Sequence, residues 1–119
     1  MLKSLKNSRI LVVVAHPDDE ILGIGGTLNK LVVNYNCTIK VVVLGEGLTS
    51  RNDSRNIENF KNQLIKHKQN INKAKEFIGY QDLSIYDLAD NRFDTIPLLD
   101  IIKIIEIEKK KFQPSIIFT

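Results

Sequence analysis

Four ionisable side chains lie within five consecutive positions near the start of the chain: His16, Asp18, Asp19 and Glu20. Three neighbouring carboxylates repel one another, so they need a positive partner. A helix N-terminus supplies about half a charge, and a divalent cation could supply the rest. His16 and Asp19 are three positions apart across Pro17, and an imidazole with a carboxylate is a donor pair that suits zinc. Asp18 would then be free to act as general base on a water molecule.

A plainer interpretation of the same residues needs no metal. An aspartate commonly caps a helix, and acidic residues are favoured in the first helical turn. In that case His16 is only a turn residue. Taken residue by residue, the sequence leaves both interpretations open.

The composition limits the class of protein that carries this cluster. The chain has 119 residues, of which 43% are hydrophobic and 26% charged, so it accommodates one globular domain and excludes disordered or collagen-like classes. It has neither an apolar run of the ~20 residues that a membrane span needs nor the apolar core of a secretion signal. Cys37 is the single cysteine, which excludes an internal disulfide and a cysteine-based zinc cluster. We therefore expect a cytoplasmic protein.

The net charge of +3 does not indicate a nucleic-acid partner. Lys109–Lys111 is the one run of cations, and it falls at the expected C-terminus of a helix, where positive charge complements the helix dipole. We expect no nucleic-acid partner and no membrane span, and homo-oligomerisation stays open.

Strand and helix patterns alternate along the chain. Continuous β-branched runs predict strands that are buried on both faces, and apolar residues at steps of three and four predict amphipathic helices. Pro97 opens the last helix. The predicted strands are 10–15, 38–44, 83–86 and 115–118, and the predicted helices are 21–33, 57–78 and 97–112, with loops at 48–56 and 87–95.

This order predicts an α/β fold: a Rossmann-like open parallel sheet with strand order 3-2-1-4 and helices on both faces. Ligands of such sheets bind outside the carboxyl ends of the strands, at the point where the strand order reverses. The His16–Glu20 cluster follows the first strand, so it lies at that edge.

The cluster and the residues around it resemble a known family. His16-Pro-Asp-Asp-Glu20 after a buried strand, followed by Gly23, Gly25 and Gly26, resembles the PIG-L/LmbE-type N-acetylglucosaminyl deacetylases. Further matches come in the family order: Gly45-Glu46-Gly47, Ala74 with Ile78-Gly79, the segment Leu88–Asp94, and Pro114–Thr119.

The resemblance implies a reaction and roles for individual residues. It implies zinc bound by His16 and Asp19, Asp18 as general base, and hydrolysis of the N-acetyl group of an N-acetylglucosamine-type sugar. It further implies that Glu46 and Asp90 line the substrate pocket. The family's basic contact to the substrate comes from an Arg on the long helix that this chain lacks, so Arg51, Arg55 or Arg92 is a candidate to replace it.

Two departures from the family pattern qualify these expectations. Family members are about twice as long and take a third zinc ligand from a His-rich motif that would begin where this chain ends, after Thr119. We therefore expect residues 1–119 to be the N-terminal, truncated part of a single deacetylase domain, without measurable activity on its own. On the long helix, His67 and Asn70 stand where many members have Arg and Glu, and the helical stripe favours a core histidine at position 67.

Other functions stay open on the sequence. A strand followed by an aspartate pair also describes a magnesium-binding phosphoacceptor receiver domain, with Asp87 or Asp90 as acceptor, although that fold needs five strands. A non-catalytic sugar- or phosphate-binding module is a further alternative. The glycines of 23–26 do not form a dinucleotide-binding fingerprint, and we expect them to let the helix pack closely on the sheet.

Overall fold

The computed structural model describes residues 2–47 and 61–119. Four strands alternate with three α-helices, and two short 3-10 helices cover Leu2–Leu5 and Phe93–Thr95. The strands and helices, in chain order, are β1 (Arg9–Val14), α1 (Asp19–Tyr35), β2 (Thr38–Gly45), α2 (Lys61–Ile78), β3 (Asp82–Leu88), α3 (Leu98–Phe112) and β4 (Ile116–Phe118).

The four strands form one sheet in the order β3-β2-β1-β4, as predicted. All three strand pairs are parallel, with Ile10 opposite both Ile39 and Ile116. β1 lies inside the sheet, which explains its uninterrupted apolar sequence, because both of its faces are covered.

Helices cover both faces of the sheet, which also confirms the prediction. On one face, alternate residues of β1 and β2 pack against Leu28 and Leu31 of α1 and Ile78 of α2. On the other face, Leu11 and Val42 pack with Phe112 of α3. No helix within the described residues is long and apolar enough to cross a membrane.

Most element boundaries agree with the prediction to within two residues, and the following differences are the most informative. α1 begins at Asp19 and not at residue 21, because the acidic residues form its first turn. β3 extends over Asp82–Leu88 because Asp82 pairs with Lys40 on β2. The predicted loop 87–95 contains a 3-10 helix, and the predicted helix start at 57–60 and the loop 48–56 lie outside the described residues.

The expected role of the α1 glycines was wrong. A Cβ atom at Gly23 or Gly26 would meet nothing within 4 Å, and at Gly25 it would meet Ile78 of α2 and neighbouring atoms of α1 itself. Gly25 therefore lies between two helices and not between helix and sheet.

An ionic network, in which Lys40 and Glu108 are buried and Asp82 is exposed, joins β2, β3 and α3. Lys40 Nζ lies 2.9 Å from Asp82 Oδ2 and 3.0 Å from Glu108 Oε2, and the Tyr86 hydroxyl donates to Glu108 Oε1 at 2.7 Å. Burial opposes the charges of Lys40 and Glu108, but their hydrogen bonds prevail: the pKa of Lys40 is raised and that of Glu108 is lowered. The hydrogen bond from Lys40 also lowers the pKa of Asp82.

We expect Lys40→Met to lower the free energy of unfolding by about 3–5 kcal/mol, because it leaves the buried Glu108 carboxylate without its cation. The exposed Lys103→Met on α3 is the control and should change little. Urea unfolding of the two variants measures the difference, and a Lys40→Met protein as stable as the Lys103→Met control would contradict the expected loss.

The stability that Asp82 and Glu108 contribute depends on pH. Because the folded-state pKa values of both carboxyl groups are lowered, this contribution is present above their ordinary pKa values of 3.8 and 4.5 and is lost as the pH falls below them.

Candidate active site

The turn after β1 has a strained backbone at Asp18. This residue has φ 97° and ψ −22° in the left-handed region, which costs a non-glycine residue about 1–3 kcal/mol. Asp18 occupies the N-cap position of α1, yet its side chain makes no capping hydrogen bond. The interpretation of Asp18 as a helix-capping side chain is therefore wrong, and its exposed carboxylate is available for another role.

His16 and Asp19 converge across this turn. The backbone N–H of His16 donates to Asp19 Oδ2 at 2.9 Å, and His16 Nδ1 lies 3.6 Å from the same oxygen. Pro17, buried between them, limits the freedom of the turn. The predicted pair thus does direct one imidazole nitrogen and one carboxylate oxygen toward each other.

The second imidazole nitrogen of His16 has a different partner, which follows β3. His16 Nε2 lies 2.5 Å from Oδ1 of Asp90, which is buried, and the ring of Phe93 stacks on the imidazole with centroids 6.0 Å apart. Histidines that bind metals usually donate their other ring N–H to a carboxylate. Asp90 fixes the His16 ring in an orientation that leaves Nδ1 for a ligand.

The donor pair fits a zinc ion in type and spacing. Two donors in a tetrahedral zinc site, each about 2.1 Å from the ion, stand about 3.4 Å apart, close to the 3.6 Å between His16 Nδ1 and Asp19 Oδ2. Within residues 2–47 and 61–119, no three histidine, cysteine, aspartate or glutamate side chains form a group that could hold a metal ion. The described residues therefore offer two of the three protein ligands that a catalytic zinc requires.

Glu20 is a residue of this site that the sequence analysis did not single out for a role. Its side chain is almost completely buried; Oε2 accepts from the backbone N–H of Asp18 at 3.2 Å, and Oε1 accepts from the Tyr80 hydroxyl at 3.4 Å. Burial raises the pKa of Glu20 above its ordinary value, and burial beside Glu20 raises that of Tyr80. Glu20 thereby holds the strained backbone of Asp18. In the sequence, this role is indicated by the position of Glu20 at the end of the acidic run.

The turn after β2 packs directly on the turn after β1. The backbone N–H of Gly45 donates to Ala15 O at 2.7 Å, and a Cβ atom at Gly45 would lie 2.9 Å from that oxygen and 3.1 Å from the Phe93 ring. Gly47 has φ 71°, and a Cβ there would lie 2.7 Å from Pro17 Cδ. Both glycines are therefore required for the two turns to meet.

We expect Gly45→Ala to lower the free energy of unfolding by about 1–3 kcal/mol, because the added methyl group has no space against a backbone oxygen. Gly26→Ala is the matched control: it lies within α1 with open space around it and should stabilise by about 1 kcal/mol. Thermal unfolding of both variants measures the two changes, and a destabilised Gly26→Ala beside an unchanged Gly45→Ala would contradict the packing described.

Two cavities flank the cluster. One of about 470 Å³ lies between β1, β4 and the start of α1 and is bordered by Asp19 and Phe118. The other, of about 220 Å³, lies between α1 and α2 and has Asp18 and His67 on its walls. Both open beside the His16–Glu20 turn at the carboxyl edge of the sheet, where ligands of this fold bind.

The predicted substrate contacts within the described residues do not border either cavity. Glu46 is buried, and its backbone N–H donates to Leu88 O at 3.2 Å. Arg92 is exposed and precedes the 3-10 helix at Phe93. Neither Glu46, Asp90 nor Arg92 lines the two cavities, and Arg51 and Arg55 lie outside the described residues.

One family model and two solved structures are similar to this chain. The model of the family PIG-L, described as GlcNAc-PI de-N-acetylase, matches residues 11–119. No match is found among curated protein sequences.

Two solved structures share the fold. The N,N′-diacetylchitobiose deacetylase of Pyrococcus horikoshii superposes with a TM-score of 0.76 at 19% identity, over 94% of this chain and 40% of that one. The 4-carboxy-2-hydroxymuconate hydratase GalB of Pseudomonas putida KT2440 superposes with a TM-score of 0.71 at 21% identity, over 92% and 45%. This chain thus spans less than half the length of either.

The family match includes the cluster at the end of β1 and continues through β4. It argues against the magnesium-binding receiver alternative, and the strand order and the helices on both faces are those expected for the family. From the motif at His16–Glu20 to the last strand, this chain belongs to the PIG-L family.

Proposed function

We propose that this protein is a zinc-dependent hydrolase that removes the N-acetyl group from an N-acetylglucosamine-type sugar or sugar conjugate. Family membership supports a deacetylase-type activity. The observation that carries the finer proposal is the turn after β1, where the carboxylate of Asp18 is free of capping beside the donor pair of His16 and Asp19.

His16 and Asp19 would hold the ion, and Asp90 would orient His16 through Nε2. When bound, the ion would polarise the amide carbonyl as a Lewis acid. We expect the third protein ligand outside the described residues, as the resemblance implies for the sequence after Thr119. The proposal therefore concerns the complete gene product, with residues 1–119 as the N-terminal part of its deacetylase domain.

Asp18 would act as the general base in this hydrolysis. Its carboxylate takes a proton from the attacking water, whose oxygen bonds to the acetyl carbonyl carbon. The bond from that carbon to the sugar nitrogen then breaks, and the nitrogen takes up a proton as it leaves. The products are acetate and a free amino sugar, so no oxidant or reductant is needed.

The place of the other predicted residues stays a proposal. Glu46, buried in the turn after β2, and Arg51 and Arg92 remain candidates for the outer part of the substrate site. The cytoplasmic location stays a prediction that rests on the single, buried Cys37.

Acetate release tests the proposal. The complete gene product with added zinc should release acetate from N-acetylglucosamine, from N,N′-diacetylchitobiose, or from a lipid- or inositol-linked N-acetylglucosamine, and each acetate should be matched by one new amine. A protein that is folded and loaded with zinc but releases acetate from none of these substrates would overturn the proposal.

A further inference from the structure

Tyr80 carries a hydroxyl group into the apolar core near the proposed site. The residue follows Gly79, whose left-handed backbone (φ 93°) ends α2, and its side chain is almost completely buried in the core cluster of β1, β2 and α1. A phenol in such surroundings needs a hydrogen-bond partner for its hydroxyl group, and here it donates to Glu20 Oε1 at 3.4 Å. Phenylalanine would fill the same space without this requirement, so packing alone does not explain the hydroxyl group.

Glu20 connects Tyr80 to the turn after β1. One oxygen of its carboxylate accepts from the Tyr80 hydroxyl, and the other accepts from the backbone N–H of Asp18 at 3.2 Å. Both Glu20 and Tyr80 are almost completely buried, so bulk water does not compete for the two hydrogen bonds. Without the Tyr80 hydroxyl, the Glu20 carboxylate would lose the contact that holds it from the side of the core.

The backbone of Asp18 is held from two sides. Its carbonyl oxygen accepts from the N–H groups of Ile21 and Leu22, both at 2.9 Å, in the first turn of α1. Its own N–H donates to Glu20. A left-handed backbone at a residue other than glycine is strained and persists only where its surroundings hold it. Because the Asp18 side chain makes no capping hydrogen bond, the direction of its carboxylate follows from this backbone.

We propose that Tyr80 is a positioning residue for the general base: through Glu20 it holds the Asp18 backbone and so sets the direction of the Asp18 carboxylate. The inference rests on the proposed function, which assigns the proton transfer to Asp18. Tyr80 is not among the described residues that border the two cavities, so it acts through another residue and not on the substrate itself.

Tyr80→Phe removes one oxygen atom and keeps the ring in the core, so the variant should fold. In the complete gene product with zinc, kcat for the best of the acetylated sugars named above should fall about three- to tenfold. A displaced base keeps part of the contribution of about 10²–10⁴-fold that removal of the base would abolish. KM and zinc content should stay unchanged, since neither the cavities nor the donor pair lose a group.

Tyr35→Phe is the matched control for this variant. Tyr35 ends α1 and packs against the same core cluster, so the same hydroxyl group is removed at the other end of the helix. This change should leave kcat unchanged. A kcat of Tyr80→Phe equal to that of the control would overturn the inference.

A double-mutant cycle separates positioning from a general structural effect. If Tyr80 acts through Asp18, adding Tyr80→Phe to Asp18→Asn should not lower the residual rate further, because no base remains to be displaced. An equal fall of kcat in the wild-type and Asp18→Asn backgrounds would mean that Tyr80 acts in another way, and the inference would fail.

The backbone amide of Asp18 reports on the contact without requiring turnover. Its signal in the complete gene product is assigned by triple-resonance NMR. In Tyr80→Phe the signal should shift, and the amide proton should exchange with solvent about three- to tenfold faster, the value of one weakened hydrogen bond. In Tyr35→Phe the signal should stay in place. An Asp18 amide that neither shifts nor exchanges faster in Tyr80→Phe would overturn the inference.

The failures of the two proposals are distinguishable. If the wild-type protein releases acetate and Tyr80→Phe has an unchanged kcat, the inference about Tyr80 is wrong while the proposed function stands. If the wild-type protein releases no acetate, the proposed function fails, and the amide signal of Asp18 then decides by itself whether Tyr80 holds the turn.

Discussion

Asp18→Asn should reduce the turnover of an N-acetylglucosaminyl substrate by about 10²–10⁴-fold, the contribution of a general base. Zinc content should stay at the wild-type level, because the donor pair is formed by His16 and Asp19 and not by Asp18. Asparagine also tolerates the left-handed backbone of this position, so the variant should fold. Steady-state acetate release and metal analysis on the same preparation measure both effects.

Asp100→Asn is the matched control for this variant. Asp100 is an exposed aspartate in the first turn of α3, so it has the same charge at a similar place in a helix. Its replacement should leave acetate release unchanged. Wild-type kcat in Asp18→Asn would assign the general base to another residue.

His16→Ala should abolish zinc binding and with it all deacetylation. The change removes Nδ1, one of the two described donors, and releases Asp90, which pairs with Nε2. Because Asp90 is buried, its unpaired carboxylate should also cost stability, about 1–3 kcal/mol. Zinc content by atomic absorption, with unfolding measured in parallel, distinguishes loss of the ion from loss of the fold.

Asp90→Asn completes this test. It keeps a side chain of the same shape beside His16 but removes the charge that orients the imidazole, so zinc affinity should fall about 10–100-fold and not vanish. Unchanged zinc stoichiometry and affinity in His16→Ala would remove His16 from the metal site.

The fold could be predicted from the sequence because its strands follow simple rules. A strand covered on both faces must be apolar throughout, which Ile10–Val14 satisfies. A helix that packs on one side repeats its apolar residues at steps of three and four, and Ile71 and Ile78 are indeed buried. The parallel arrangement then follows from the alternation of strands and helices.

The site was only partly predictable, because its contacts join distant parts of the chain. The pairing of His16 and Asp19 follows from local spacing, but nothing local shows that Asp90, 74 positions later, holds the second nitrogen of His16. The sequence does not indicate the left-handed backbone at Asp18, because glycine, and not aspartate, is the residue that usually adopts this conformation. The helical stripe places His67 on a packed face but does not show that its Nε2 lies close to the turn at Gly47.

The likeness to both a deacetylase and a hydratase shows why the site must carry the functional argument. Both superpose on this chain at about the same identity, so the shared fold does not select between amide hydrolysis and hydration. The selection rests on the family match and on the residues at the end of β1.

Metal-dependent acetate release tests the central claim most directly. The complete gene product, stripped of metal with a chelator and checked for retained folding, is titrated with zinc while acetate release from N,N′-diacetylchitobiose is followed. We predict no release from the stripped protein, a return of activity that saturates near one zinc per chain, and no return in His16→Ala. Release at the full rate by the stripped protein, or an equal recovery in His16→Ala, would contradict a zinc-dependent deacetylase site at the end of β1.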